Sequence, residues 1–287
     1  MHPHPHMIHT TNLIPKLTLI FLMIPLVSTA VAAIQPESEN KHLSVTAQTS
    51  SLAVPGQSGI LILELTVDEH WHTYWPGIND TGYGLSVDIP PADSLTFGEP
   101  FFPTPTRHVS PGDILDHIYE GTFQVLVPYT VSKDAVPGSR IPVGAFINAL
   151  VCNDVCIPES DGISLMLAVV NPSDRNFTRQ EALDAFSAKP VMPPNADVRW
   201  DDDAAHLKLP NATRYTFFPD NNCTQPADLI TQGDTESNSL TINFDRQYED
   251  DPTAPARLSG RLRAKINNEW RDFDIDYIQP TPTEKSP

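Results

Sequence analysis

Short apolar stretches separated by turn residues make up most of the chain between residues 43 and 170. Four of them are rich in β-branched residues or alternate between apolar and polar positions, as strands do: residues 58–67, 123–131, 140–151 and 163–170. Turn-forming pairs, including Thr81-Gly82, Pro111-Gly112 and Pro137-Gly138, lie between them. Regularly spaced strands with such turns predict a β-sandwich.

One stretch breaks this pattern. Apolar residues recur at helical spacing in residues 178–188, which end at Lys189-Pro190, and the Pro-rich residues 191–195 have the composition of a linker. Six further short apolar stretches follow, at residues 198–200, 207–209, 214–218, 240–244, 258–266 and 270–278. We therefore expect an all-β protein. Its predicted parts are a sandwich at 41–172, a helical linker at 173–195, a second, smaller β-domain at 196–279 and a frayed tail at 280–287.

The N-terminal residues have the features of an export signal. Lys16 precedes an apolar run at residues 17–27, which is too short to span a bilayer, and Ala30 and Ala32 form the small-x-small pattern that signal peptidase cleaves. We expect a signal peptide at 1–32 and a mature protein that is periplasmic or otherwise exported, and soluble after cleavage. If the signal is not cleaved, a membrane-tethered form is the alternative.

Charge and composition narrow the possible functions. The chain of 287 residues has 18 Lys and Arg against 36 Asp and Glu, a formal net charge of −18, which argues against general nucleic-acid binding. No Ser-His-Asp motif, phosphate-binding Gly-rich loop or His-Glu zinc motif is recognisable, so hydrolase and nucleotide-enzyme functions have no residues to support them.

Two of the three cysteines, Cys152 and Cys156, flank a predicted strand reversal around Asn153-Asp154. Such a pair can form a disulfide, but the loop it closes is so short that the bond would add little stability. Thiol–disulfide exchange is therefore the favoured interpretation, and a bond that merely pins the hairpin stays open. Asp154 and Glu159 lie near in sequence and no cation does, which disfavours the thiolate and predicts slow, partner-dependent reactivity. Cys223, in a polar turn, is expected to be a bystander.

A metal site is a second possibility for the same cysteines. His70, His72, His108 and His117 lie in the same half of the chain, and Cys with His can bind Cu(I) or Zn. Two cysteines do not complete a tetrahedral site, and no His follows closely after Cys156. We therefore predict no bound metal and no cofactor other than the disulfide, with Cu(I) considered only under the alternative function below.

Residues 150–159 (LVCNDVCIPE) resemble the cysteine signature of the amino-terminal, DsbD-like domain of thiol:disulfide interchange proteins, which include copper-sensitivity suppressor B relatives. Three further blocks of that family agree in order: residues 70–77 with 80–82, residues 101–105, and residues 119–121 followed by 125–128. Residues 214–219 (RYTFFP) resemble a segment of the second β-domain in longer members.

The resemblance implies an immunoglobulin-like sandwich with thiol-disulfide oxidoreductase activity of the protein-disulfide reductase type. Cys152 and Cys156 would accept electrons from a membrane-embedded thiol transporter and pass them to exported thioredoxin-like proteins, with Cys156 meeting the partner. The implied site surroundings are Tyr119, Glu120, Asp154, Glu159, His72 and Tyr74. Longer members continue into membrane spans and a thioredoxin-like domain, so we expect the electrons to come from a separate membrane protein.

Two other functions stay open at this point. A non-catalytic copper-handling or envelope assembly module would keep the sandwich and use the cysteines as soft metal ligands. A purely structural envelope domain would keep the disulfide only to pin its hairpin.

Overall fold

Antiparallel strands dominate the computed structural model, which describes residues 41–174, 179–249 and 251–281. The predicted signal peptide 1–32 and most of the predicted tail, residues 282–287, lie outside the described residues. The strands of the first β-domain are β1 (Leu43–Thr49), β2 (Ser58–Val67), β3 (His72–Tyr74), β4 (Ser86–Asp88), β5 (Leu95–Phe97), β6 (Thr106–Ser110), β7 (Ile114–Tyr119), β8 (Thr122–Val131), β9 (Arg140–Cys152) and β10 (Cys156–Ala168).

These strands form the two layers of an immunoglobulin-like sandwich, as expected. One sheet has the order β1-β2-β8-β5, the other has the order β10-β9-β3-β7-β6, and β4 also pairs with β9. Alternate residues of β9 point inward, so Ile147, Ala149 and Val151 join a buried core with Leu63 of β2 and Val127 of β8. The face of β9 that points away from this core carries its other residues, including Cys152.

The helical segment is α1 (Gln180–Ser187), preceded by a 3₁₀ turn at Pro172–Asp174. Its residue Ala182 packs against Ile60, Ile62 and Leu126, which lie on the outer face of the first sheet. Strand β2 is therefore buried on both faces, and its pattern is a nearly continuous apolar run. The segment predicted as a linker thus also forms a packing layer of the sandwich.

The second β-domain contains two smaller sheets. Its elements are β11 (Asp197–Trp200), β12 (Ala204–Lys208), β13 (Ala212–Pro219), α2 (Leu229–Gln232), β14 (Asp234–Thr235), β15 (Leu240–Asn243), a 3₁₀ turn (Arg246–Tyr248), β16 (Arg257–Ile266) and β17 (Glu269–Ile278). The sheet orders are β11-β12-β15 and β14-β13-β16-β17. Leu207, Phe217, Ile242 and Leu262 form part of the core between them.

A buried arginine joins the two β-domains. Arg261 of β16 is 3% exposed, and its Nε donates to Asp274 Oδ1 at 2.6 Å. Its Nη1 donates to Thr104 Oγ1 of the first domain at 2.8 Å, and the guanidinium lies 5.7 Å from the ring centre of Trp75. Because a guanidinium withdrawn from water must have its donors satisfied, this contact holds the two domains in one arrangement.

Removing this charge should weaken the protein far more than removing an exposed one. Arg261→Met keeps most of the side-chain volume but loses the hydrogen bonds to both domains, and we expect a loss of about 2 kcal/mol in the free energy of unfolding. Arg271→Met is the matched control, because Arg271 is 56% exposed and pairs with Glu269 at 3.5 Å. Its loss should stay below about 0.5 kcal/mol. Urea unfolding measures both, and equal losses would contradict the role given to Arg261.

A buried histidine lies at the same boundary. His117 of β7 is fully buried, its Nδ1 donates to Ile78 O at 3.0 Å, and its ring packs edge-on to Phe218 of the second domain at 5.2 Å. Burial, the largest cause, lowers the pKa of His117 from 6.5 to about 4. The imidazole is therefore neutral in the folded protein at neutral pH.

This histidine predicts acid sensitivity. The pKa of His117 is lower in the folded state than in the unfolded state, so the unfolded chain binds the proton first as the pH falls. Its contribution to stability should be complete above pH 6.5 and be lost progressively down to about pH 4. The loss should reach roughly 3 kcal/mol. Comparing urea unfolding of the protein and of His117→Gln across this range tests it. A pH dependence that His117→Gln leaves unchanged would count against this assignment.

Candidate active site

The two cysteines are bonded across the end of the β9–β10 hairpin. Cys152 is the last residue of β9, Cys156 is the first of β10, and the two are direct cross-strand partners. Their Cα atoms lie 4.1 Å apart and their sulfurs 1.98 Å apart. The loop between them has three residues, 153–155, rather than the predicted two-residue tip, and Asn153 N donates to Val155 O at 3.1 Å. Because direct partners share one face of a sheet, the register brings both sulfurs to the outer face.

The two sulfurs differ in their access to solvent. Cys152 is 1% exposed, whereas Cys156 is exposed at the end of the hairpin beside Val155, which is 61% exposed. Exchange requires a thiolate to reach a disulfide sulfur. An incoming thiolate therefore has a path to Cys156 and none to Cys152.

A tyrosine and a histidine lie under the exposed sulfur. Strand β3 pairs with β9 so that His72 is opposite Cys152, and Tyr74, two residues on, shares the same face. The Tyr74 hydroxyl lies 3.7 Å from Cys156 Sγ, and His72 Nε2 lies 3.4 Å from the Tyr74 oxygen. Burial raises the pKa of Tyr74, so its hydroxyl keeps its proton and can donate it.

The hydroxyl hydrogen determines the direction of both hydrogen bonds. A disulfide sulfur carries no hydrogen, so in the contact with Cys156 the Tyr74 hydroxyl is the donor. Its only hydrogen is then used, so the Tyr74 oxygen accepts from His72 Nε2–H, and the side chain of Thr81 also lies within hydrogen-bonding reach of this oxygen. The two bonds thus form a chain from His72 through Tyr74 to Cys156, with His72 in the Nε2–H tautomer.

A second histidine adjoins the first. His108, on β6, is exposed and stacks against His72 with ring centres 5.7 Å apart. Burial, followed by the charge of His108, lowers the pKa of His72, while Glu120 and Asp116 act in the opposite direction with smaller effects. The balance favours neutral His72, the state that the Nε2–H tautomer requires.

Four of the predicted site residues lie near the sulfurs or near His72. His72 and Tyr74 form the chain described above, Asp154 is exposed in the loop between the cysteines, and the exposed Glu120 acts on His72 through its charge. Sequence reasoning considered His108 only as a metal ligand. Its position beside His72 depends on the pairing of β6 with β7 and of β7 with β3, for which the sequence holds no local signal.

The structure does not bring Tyr119 and Glu159 to the sulfurs. Tyr119 is opposite Thr73, on the other face of the sheet from Tyr74, and its hydroxyl donates to Pro103 O at 2.6 Å. Glu159 also lies on the inner face, where its carboxylate accepts from Leu43 N at 3.0 Å and fixes the start of β1. Both are therefore structural residues, and of the two acids expected to oppose the thiolate only Asp154 lies at the hairpin end.

The remaining candidates are separated from this site. Cys223 is a free, buried thiol in the second domain, and burial raises its pKa to about 12, which suits an unreactive bystander. His70 has a side chain that is 78% exposed, and His117 is at the domain boundary.

Within residues 41–174, 179–249 and 251–281, no three His, Cys, Asp or Glu residues are grouped so that they could hold a metal ion. Over the same residues, no helix has the length and apolar character needed to cross a membrane.

Comparisons with known proteins concern the domain that carries the two cysteines. Residues 39–168 match the family model of the thiol:disulfide interchange protein DsbD, N-terminal. The crystal structure of the N-terminal periplasmic domain of ScsB from Proteus mirabilis matches with a TM-score of 0.54 at 15% identity, covering 84% of this chain and 95% of that chain. Residues 39–168 are a DsbD-like N-terminal domain.

Two further results complete the comparison. The reduced DsbD N-terminal domain from Neisseria meningitidis matches at 15% identity over 42% of this chain and 82% of that chain, with a TM-score of 0.26. No curated protein sequence matches the chain. The ScsB match extends beyond the family match, so the fold it shows includes the second β-domain. The DsbD-like domain is a thiol:disulfide interchange module that carries the Cys152–Cys156 pair.

Proposed function

We propose that this protein is an exported thiol–disulfide oxidoreductase of the protein-disulfide reductase type. Through Cys152 and Cys156 it accepts electrons from a membrane-embedded thiol transporter and passes them to exported thioredoxin-like proteins. The observation that carries this proposal is a disulfide with one exposed and one buried sulfur at the end of a hairpin. The predicted signal peptide at 1–32 supports the exported location.

The hairpin does not need the disulfide for its stability. Strands β9 and β10 are paired over their full lengths, from Cys152↔Cys156 to Arg140↔Ala168. In the chain-entropy model a 15-residue loop is stabilised by about 3 kcal/mol, and the much shorter loop closed here gains less. A bond that adds little to the fold is better explained by exchange than by pinning.

The proposed reaction has two exchange steps. A partner thiolate attacks Cys156 Sγ, the bond between Cys152 and Cys156 breaks, and its electron pair moves to Cys152 Sγ, which takes up a proton. The second partner thiolate then attacks the partner sulfur of the mixed disulfide, and Cys156 leaves as a thiolate that is protonated in turn. The partner becomes a disulfide and this protein a dithiol. The same steps in reverse reduce the next protein.

Copper handling is the second candidate function. The stacked imidazoles of His72 and His108, with His72 opposite Cys152, favour it, because thiolates and imidazoles are ligands that suit copper. Copper binding would require these side chains to draw together after reduction, since the described residues of the oxidised protein hold no such group of three. Titrating the reduced protein with Cu(I) tests it. Stoichiometric binding that is lost in Cys152→Ser and Cys156→Ser would support copper handling over exchange.

Trapping tests the proposed exchange and the order of attack together. In Cys152→Ser the exposed Cys156 can form a mixed disulfide with a thioredoxin-like protein, and Cys152 is no longer present to break it. We expect this variant to accumulate at least tenfold more of the covalent complex than Cys156→Ser, because the site cysteine that remains in Cys156→Ser is buried. A tenfold difference corresponds to about 1.4 kcal/mol. Non-reducing electrophoresis and mass spectrometry measure the complex. Equal accumulation would contradict the order of attack, and no complex in either variant would contradict the exchange.

A further inference from the structure

The chain of hydrogen bonds beneath Cys156 joins the exposed sulfur to a group that can exchange protons with water. The Tyr74 hydroxyl is buried and lies 3.7 Å from the sulfur and 3.4 Å from His72 Nε2. It is also within hydrogen-bonding reach of the side chain of Thr81, whose hydroxyl donates to Asp116 Oδ2 at 2.6 Å. His72 is only half-buried, so its ring has an edge in reach of solvent. Among the described residues, no carboxylate, amine or imidazole contacts Cys156 directly, so Tyr74 is the group positioned to handle its proton.

We propose that His72 and Tyr74 form a proton relay that protonates and deprotonates Cys156 during thiol–disulfide exchange. This inference rests on the proposed function and names the groups that handle the proton. When Cys156 leaves as a thiolate, the Tyr74 hydroxyl proton moves to the sulfur, the His72 Nε2 proton moves to the Tyr74 oxygen, and His72 Nδ1 takes a proton from water. The electron pair stays on Cys156 Sγ, and both His72 and Tyr74 end neutral.

The reverse shift activates the thiol. The proton of reduced Cys156 passes to the Tyr74 oxygen, the Tyr74 proton passes to His72 Nε2, and His72 Nδ1 releases a proton to water. The thiolate then accepts a hydrogen bond from Tyr74, which favours the charged form of the sulfur. The hydrogen bond from Tyr74 thus offsets the effect of Asp154, whose carboxylate in the loop disfavours a negative charge on Cys156.

The surroundings of His72 suit this role. His108 on β6 stacks on its ring, while Asp116 within β7 and Glu120 directly after β7 act on it with negative charge. Burial and His108 lower the pKa of His72, so that the neutral imidazole with one protonated nitrogen predominates at neutral pH. A neutral imidazole can accept at one nitrogen and donate at the other, as the relay requires.

The test measures how fast Cys156 alone reacts as the pH changes. The full-length protein with Cys152→Ser is treated with iodoacetamide, and alkylation of Cys156 is followed by peptide mass spectrometry, which separates it from the buried Cys223. We expect Tyr74→Phe to raise the apparent pKa of the Cys156 thiol by about one unit and to slow alkylation near neutral pH about tenfold. His72→Gln should likewise raise the apparent pKa of the Cys156 thiol and slow its alkylation. Adding His72→Gln to Tyr74→Phe should change nothing further, because the hydroxyl that connects them is gone.

His70→Asn is the matched control, since His70 lies two residues from His72 but its side chain is 78% exposed. Asn also tolerates the left-handed backbone of this position, where φ is 71°. We expect its pH profile to match that of the parent. Superimposable profiles for Tyr74→Phe and the parent would overturn the relay, and so would additive effects of His72→Gln and Tyr74→Phe. Failure of the proposed function would give a different result. The disulfide of the parent protein, with both cysteines present, would then not exchange with a dithiol.

Discussion

The register between β9 and β10 is the constraint on which the site depends. Successive residues of a strand point to opposite faces, so the register that buries Ile147, Ala149 and Val151 also turns Cys152 outward and places it opposite Cys156. A slip of one residue would expose that core and bury the sulfurs. The stability of the sandwich therefore maintains the geometry of the disulfide, and the disulfide is free to open without loss of the fold.

The second β-domain supports the same site from behind. Strand β3, which carries His72 and Tyr74, has only three residues and runs directly into Trp75. Trp75 Nε1 donates to Pro219 O of the second domain at 3.2 Å, and Ile78 N donates to the same oxygen at 3.1 Å. Because a short strand has few hydrogen bonds of its own, these contacts hold the residues beneath Cys156 in place.

Local pattern predicted β2, β8 and β9, the second half of β10, and the cysteine pair. It missed what depends on strand pairing. Residues 58–67 are a nearly continuous apolar run and form β2, whereas β3, β4 and β5 have three residues each and are too short to show a period. The cysteines were predictable because their relation is local. Glu159 is three residues from Cys156, an odd separation that places it on the other face, and the position of His108 beside His72 follows only from the sheet order.

The central claim is that the bond between Cys152 and Cys156 opens and closes as part of the protein's work. The reduction potential of this pair, measured by equilibration with glutathione and dithiol buffers of known potential, tests it most directly. The account predicts a potential higher than about −300 mV, so that the pair exchanges with these buffers. A potential below about −300 mV, with a disulfide that resists the glutathione buffer, would mark a permanent structural bond and contradict the account.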